Sequence, residues 1–87
     1  MFFTLCLTSR ASKELEKLPE KMRQRVSSRI EELAANPLPR DVAKLKGLGD
    51  AYRVRVGKYR ILYRVVWEEK VIIIFRIALR GRAYENS

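Results

Sequence analysis

The sequence predicts an α+β domain: an N-terminal strand, a helical hairpin, and then a three-stranded antiparallel meander, forming one sheet with helices on one face. Three observations predict it. Apolar residues alternate from Phe3 to Leu7, recur every three or four positions between Ala11 and Leu33, and alternate again beyond Tyr52, where two hairpin-length turns interrupt them. The 87 residues make a single domain, 1–87. A chain of this size buries roughly 60% of the surface its unfolded form exposes, so its core must be compact. An apolar share of 47% is enough for a globule and argues against disorder.

Phe3, Leu5 and Leu7 alternate with Thr4, Cys6 and Thr8, which is strand periodicity. Thr8 or Ser9 can cap a first helix with Ala11, Leu15 and Leu18 on one face. Pro19 fits the first position of a second helix. Its stripe is Met22, Val26, Ile30 and Leu33, and Asn36-Pro37 terminates it. From Pro37 to Asp50 the chain reads as a loop. Strands follow from Tyr52 to Val56, Tyr59 to Trp67 and Val71 to Leu79, joined at Gly57-Lys58 and Glu68-Glu69-Lys70. The most apolar run, Val71 to Phe75, is strand-sized and followed by Arg76, so no membrane span is predicted. Met1 to Leu7 has no basic region before it and does not read as a signal peptide. A cytoplasmic protein with a reduced Cys6 and no membrane partner is expected.

Side chains alternate across a strand, so parity assigns each a face. Tyr52, Val54 and Val56 oppose Arg53 and Arg55. Tyr59, Ile61, Tyr63, Val65 and Trp67 oppose Arg60, Leu62, Arg64 and Val66. Val71, Ile73, Phe75, Ile77 and Leu79 oppose Ile72, Ile74, Arg76, Ala78 and Arg80. Each strand thus has an apolar face to pack under the helices and a second face carrying arginines. A charged face can simply be the solvated side of a two-layer domain. Here, however, the strand positions hold no Asp or Glu, and like charges set opposite one another are unfavourable, which points to an anionic partner.

Composition narrows the chemistry. Lys plus Arg is 19 and Asp plus Glu is 10, a net charge of +9 that suits nucleic acid. Residues 1–43 hold 8 basic and 6 acidic side chains (+2), and residues 44–87 hold 11 and 4 (+7), so the sheet half carries the field. With no histidine and one cysteine, a disulfide framework, a zinc finger, a His-dependent base or triad and a soft-ligand metal site are excluded. Asp41, Asp50, Glu68, Glu69 and Glu85 lie in loops or the tail, without the spacing of a two-metal site. No metal and no cofactor are expected.

The order Lys44-Leu45-Lys46-Gly47-Leu48, then Tyr52-Arg53-Val54-Arg55-Val56-Gly57-Lys58-Tyr59-Arg60-Ile61-Leu62-Tyr63, then Arg80-Gly81-Arg82-Ala83-Tyr84 resembles the RelE/ParE toxin superfamily over nearly the whole chain, and its RelE branch most. The resemblance implies a cytoplasmic toxin with the microbial-ribonuclease-like fold and a cognate RelB-like antitoxin. It also implies entry into the ribosomal A site and cleavage of messenger RNA there without a metal. Family basic positions fall on Arg53, Arg55, Arg60 and Arg80, and the terminal tyrosine on Tyr84. Spacing between the last arginines and the tyrosine varies in the family, which leaves Arg82 less defined. Lysines often occupy the positions of Arg53 and Arg55. An arginine effectively cannot release its proton, so those positions keep a charge-stabilising role and lose a proton-transfer one. The sequence stops soon after Tyr84, so a long C-terminal helix is not expected.

In metal-free RNA cleavage the 2′-OH attacks the adjacent phosphorus, and the step needs a base, charge stabilisation and in-line geometry. Arginines supply the charge. Tyr84 can act as base or orienter, or can instead stack on a nucleobase. Arg40, Lys44, Lys46, Arg64, Arg76 and Arg82 are expected to hold RNA or ribosome phosphates; as solvated charges they would read the same. Two competing functions share this pattern: a ParE-like DNA gyrase inhibitor without nuclease activity, and a non-catalytic basic RNA-binding module.

Overall fold

In a computed structural model the structure describes residues 2–79. The elements in order are β1 (Thr4–Leu7), α1 (Ser9–Glu16), α2 (Glu20–Ala35), β2 (Ala43–Lys44), β3 (Ala51–Val56), β4 (Tyr59–Val66) and β5 (Val71–Leu79). Thr8 caps α1, its hydroxyl accepting from the Ala11 N–H at 3.1 Å. Pro19 differs from expectation by one position. Its φ of −55° would suit a helix, but its ψ of 149° makes it the cap before Glu20. Asn36, at φ −144° and ψ 91°, turns the chain out of α2.

The sheet order is β1-β5-β4-β3-β2, with β1 parallel to β5 and every other pair antiparallel. The expected loop between Pro37 and Asp50 contains β2, where Ala43 pairs with Arg53 and Lys44 with Tyr52. Two residues are too few for alternation to register in the sequence. The pairing is held by the Leu45 N–H bonding the Ala51 carbonyl at 3.0 Å.

The third meander strand departs from simple parity. Leu62 pairs with Arg76 but Tyr63 pairs with Ile74, so Phe75 is an extra residue, a β-bulge. A one-residue slip exchanges faces. Ile72 and Ile74, not Val71, Ile73 and Phe75, therefore pack under the helices, and Ile77 rejoins them beyond the bulge. Phe75 packs on the other face against Leu45, Ala51 and Leu62. Trp67, expected in the strand, lies in the turn at 48% exposure, with its ring edge-on to Phe3 at 5.6 Å.

The main core lies between the hairpin and the sheet. Ala11, Leu18, Val26, Ile30 and Leu33 meet Val54, Ile61, Tyr63, Val65, Ile72 and Ile74. Full burial of such aliphatic side chains stabilises by about 1.5–3 kcal/mol each. Tyr63 carries the core's polar tie: its hydroxyl donates to the Pro37 carbonyl at 2.6 Å and anchors the exit of α2 to β4.

Candidate functional site

The face of the sheet turned from the helices is built by the β3–β4–β5 register. Arg53 stands opposite Leu62, Arg55 opposite Arg60, and Arg60 opposite Ala78, and residues so paired share a face. Val54, Ile61 and Ile77, which lie between them, belong to the helix-side core, so the arginines lie on the open side. Arg60 is embedded, with 9% of its surface exposed, whereas Arg53 is half-buried and Arg55 is exposed. A guanidinium remains charged when embedded, so Arg60 fixes positive potential in the middle of the face.

Arg64 and Arg76 were expected on the same face, and both have acidic partners from outside the strands. Arg64 reaches the Leu48 carbonyl at 3.2 Å and Asp50 at 3.4 Å, and its guanidinium sits 5.5 Å from the centre of the Phe75 ring. It ties the glycine-containing loop to the sheet. Arg76 pairs with Glu14 of α1 at 3.1 Å. Two of the strand arginines are thus relieved by carboxylates that strand parity could not reveal.

The loop cations separate from the strand arginines. Lys44 is exposed and opposes Tyr52, whose ring packs on the helix-side core, so Lys44 and Arg53 lie on different sides of the sheet. Lys46 follows in the loop. Together with Lys44, Leu45, Gly47 and Gly49 it lines a basin of about 280 Å³. Arg40 is exposed in the segment between α2 and β2. A further basic groove of about 830 Å³, which parity did not suggest, runs between α2 and the end of β3. Lys21, Arg25, Arg29 and Arg55 line it with Glu32 and Asp41, and Arg29 pairs with both of those carboxylates.

Burial pushes the Tyr63 hydroxyl well above the usual tyrosine range, so this group is a fixed hydrogen-bond donor and no proton acceptor at neutral pH. Arg80, Arg82 and Tyr84 lie outside the described residues. Among the described residues no three Cys, Asp or Glu side chains gather to hold a metal ion. No described helix is long and apolar enough to cross a membrane.

The fold and face define a small two-layer α+β domain with a cationic sheet surface, a charge that suits a polyanion, and comparison with known proteins narrows the class. The profile of the family described as ParE toxin of type II toxin-antitoxin system, parDE, matches residues 5–84. A Methanocaldococcus jannaschii protein named "Putative toxin RelE1" is 39% identical over 99% of each chain. The mRNA interferase toxin RelE of Escherichia coli is 28% identical over 95% of this chain and 88% of its own. Among solved structures, the archaeal RelE-RelB complex from Pyrococcus horikoshii superposes with a TM-score of 0.83 at 38% identity, over 94% of this chain and 99% of that one. The chain belongs to the RelE/ParE superfamily of toxins from type II toxin–antitoxin systems, and its α+β architecture is that of solved RelE toxins.

Proposed function

We propose that the chain is a RelE-type messenger-RNA interferase, a metal-independent endoribonuclease that acts in the A site of the translating ribosome and so inhibits translation. The observation that carries the reading is the shared open face of Arg53, Arg55 and Arg60, in a chain similar along nearly its whole length to proteins named RelE. The 2′-OH of the message attacks the adjacent phosphorus and the bond to the 5′-oxygen breaks. The products are a 2′,3′-cyclic phosphate and a 5′-hydroxyl. Arg60 and Arg80 stabilise charge on the phosphorane, and Tyr84 deprotonates or orients the 2′-OH. Arg53 and Arg55 align the message, while Arg40, Lys44, Lys46 and Arg82 hold phosphates of the ribosome. With no histidine and no evident general acid, cleavage of free RNA is slow, and ribosomal RNA supplies the in-line conformation. The partner that silences this cytoplasmic protein is a RelB-like antitoxin whose acidic residues complement the +9 charge.

Mapping the 5′ ends of a message incubated with the protein, with and without translating ribosomes, tests the reading. Cuts within ribosome-occupied codons that leave cyclic phosphates are expected, with almost none on free RNA. An intact message overturns it. The match to a ParE profile favours one second reading, gyrase inhibition. Intact message together with blocked DNA supercoiling selects that alternative.

A further inference from the structure

We propose that Glu14 is a positioning residue for the reaction read above: its carboxylate fixes the second half of β5, and with it the strand pairing that sets Arg60 in the open face. The proposal rests on the interferase reading for its reaction and on geometry for its residue.

The parallel partner of β5 ends early. The last β1–β5 pair is Leu7 with Ile74, closed by the Thr8 N–H on the Ile74 carbonyl at 3.0 Å. Among the described residues the outer side of β5 beyond Ile74 has no strand to bond, and the Phe75 bulge disturbs the ladder at the same point. Helix α1 packs there, and Glu14 supplies what β1 does not. One carboxylate oxygen accepts the Ile77 N–H at 2.7 Å, and the other takes the Arg76 guanidinium at 3.1 Å, with Arg10 at 3.5 Å from that same oxygen. A single side chain thus replaces a ladder hydrogen bond and anchors the neighbouring cation.

The position of this clamp carries the inference. Ile77 pairs with Ile61, and the next pair along is Ala78 with Arg60. Two residues after Ala78 the sequence reaches Arg80. If the Ile77 amide were released, β5 could slip at the bulge, and a slip there moves the backbone directly opposite Arg60. The pair with Glu14 also holds Arg76 at the edge of β5, away from the phosphate path along Arg53, Arg55 and Arg60.

Glu14→Ala and Glu14→Gln are compared with the full wild-type chain by thermal melting, by hydrogen exchange of the Ile77 and Ala78 amides, and by single-turnover cleavage on programmed ribosomes. Glu14→Ala is expected to speed exchange at both amides and to lower Tm by about 4–8 °C. The saturated cleavage rate should fall about 10–100-fold, with the half-saturating concentration unchanged. Glu14→Gln keeps an acceptor for Ile77 but gives up the charge, so it should recover most of the Tm and only part of the rate. A merely structural role predicts full-rate cleavage by whatever fraction is folded; that result, or a loss confined to the half-saturating concentration, overturns the proposal. If Glu14→Ala does not fold, Glu14→Gln decides by the same criteria. Wild-type protein that leaves the message intact overturns the interferase reading and the proposal with it, whereas wild-type cleavage matched by both variants overturns the proposal alone.

Discussion

Arg55 and Arg60 stand directly opposite each other across β3 and β4, a like-charge pair at the closest spacing a sheet allows. Like charges set directly opposite each other are unfavourable in a sheet. A phosphate lying between the two strands reverses the sign of that interaction and gains from both guanidinium groups.

A short single-stranded RNA should therefore stabilise the fold. At about 100 times its dissociation constant, a ligand bound only by the native state adds about 2.7 kcal/mol, or about 10–20 °C in Tm for a domain of this size. The shift should shrink as sodium chloride rises and should be much smaller in a chain carrying both Arg55→Ala and Arg60→Ala. Calorimetry in a salt series checks this, and a shift indifferent to salt speaks against the face as the binding surface.

Charge at the scissile phosphate and charge at the loop should separate kinetically. Arg60→Ala and Arg80→Ala should each lower the saturated single-turnover rate by about 10²–10³-fold, the usual loss on deleting a donor to developing charge. Lys44→Ala with Lys46→Ala should weaken ribosome association instead. The dependence of log K on log salt should fall by about one unit per lost contact, with the saturated rate unchanged. The placement of Lys44 and Arg53 on different sides of the sheet is the structural basis for this division. If the lysine pair slows the saturated step as much as Arg60→Ala does, the division fails.

Tyr63 should shape the alkaline limb of stability. Its folded-state pKa lies above its unfolded value because burial disfavours the phenolate, so its contribution is full below about pH 10 and is lost as pH rises beyond that. Tyr63→Phe removes the bond to the Pro37 carbonyl and should lose about 1–2 kcal/mol at pH 7. The same variant should lose less than wild type between pH 10 and 11. Denaturant titrations across that range give both numbers, and parallel pH profiles would contradict the assignment.

The turn between β3 and β4 needs a residue with positive φ, and Gly57 sits at +58°. Gly57→Ala should be destabilised by about 1–2 kcal/mol from the backbone alone. The added methyl meets the flexible end of Met22 at 3.1 Å and the Arg25 guanidinium at an ordinary 3.5 Å, so Gly57→Asn, which tolerates positive φ, should recover part of the loss. Equal melting temperatures for the two variants would place the strain in packing rather than in φ.

Element identity was largely legible because helix and strand periods differ and because the Thr8 cap, Asn36 and Gly57 punctuate them. The face assignment of β5 was not. Ile72, Ile73, Ile74 and Phe75 are consecutive apolar residues, so either parity gives an apolar face, and the bulge that selects one depends on cross-strand packing of Phe75 against Leu62. Of the arginine face, Arg53, Arg55 and Arg60 follow from parity alone. The ties of Arg64 to Asp50 and of Arg76 to Glu14 join residues far apart in sequence, across elements whose relative placement alternation does not encode. Glu14 carries one weak local hint, an arginine four residues before it, and nothing in its neighbourhood points to the Ile77 amide.

The parallel pairing of Thr4–Leu7 with Val71–Ile74 has a consequence for when this protein becomes dangerous to its maker. The strand synthesised first has no partner until the strand synthesised last has emerged, and β4, which bears Arg60, lacks one of its two neighbours for the same interval. A growing chain therefore carries Arg60 before Ala78, the residue that faces it from β5, is in place. The order of synthesis acts as a timer, because the five-stranded sheet closes only once β5 has been made.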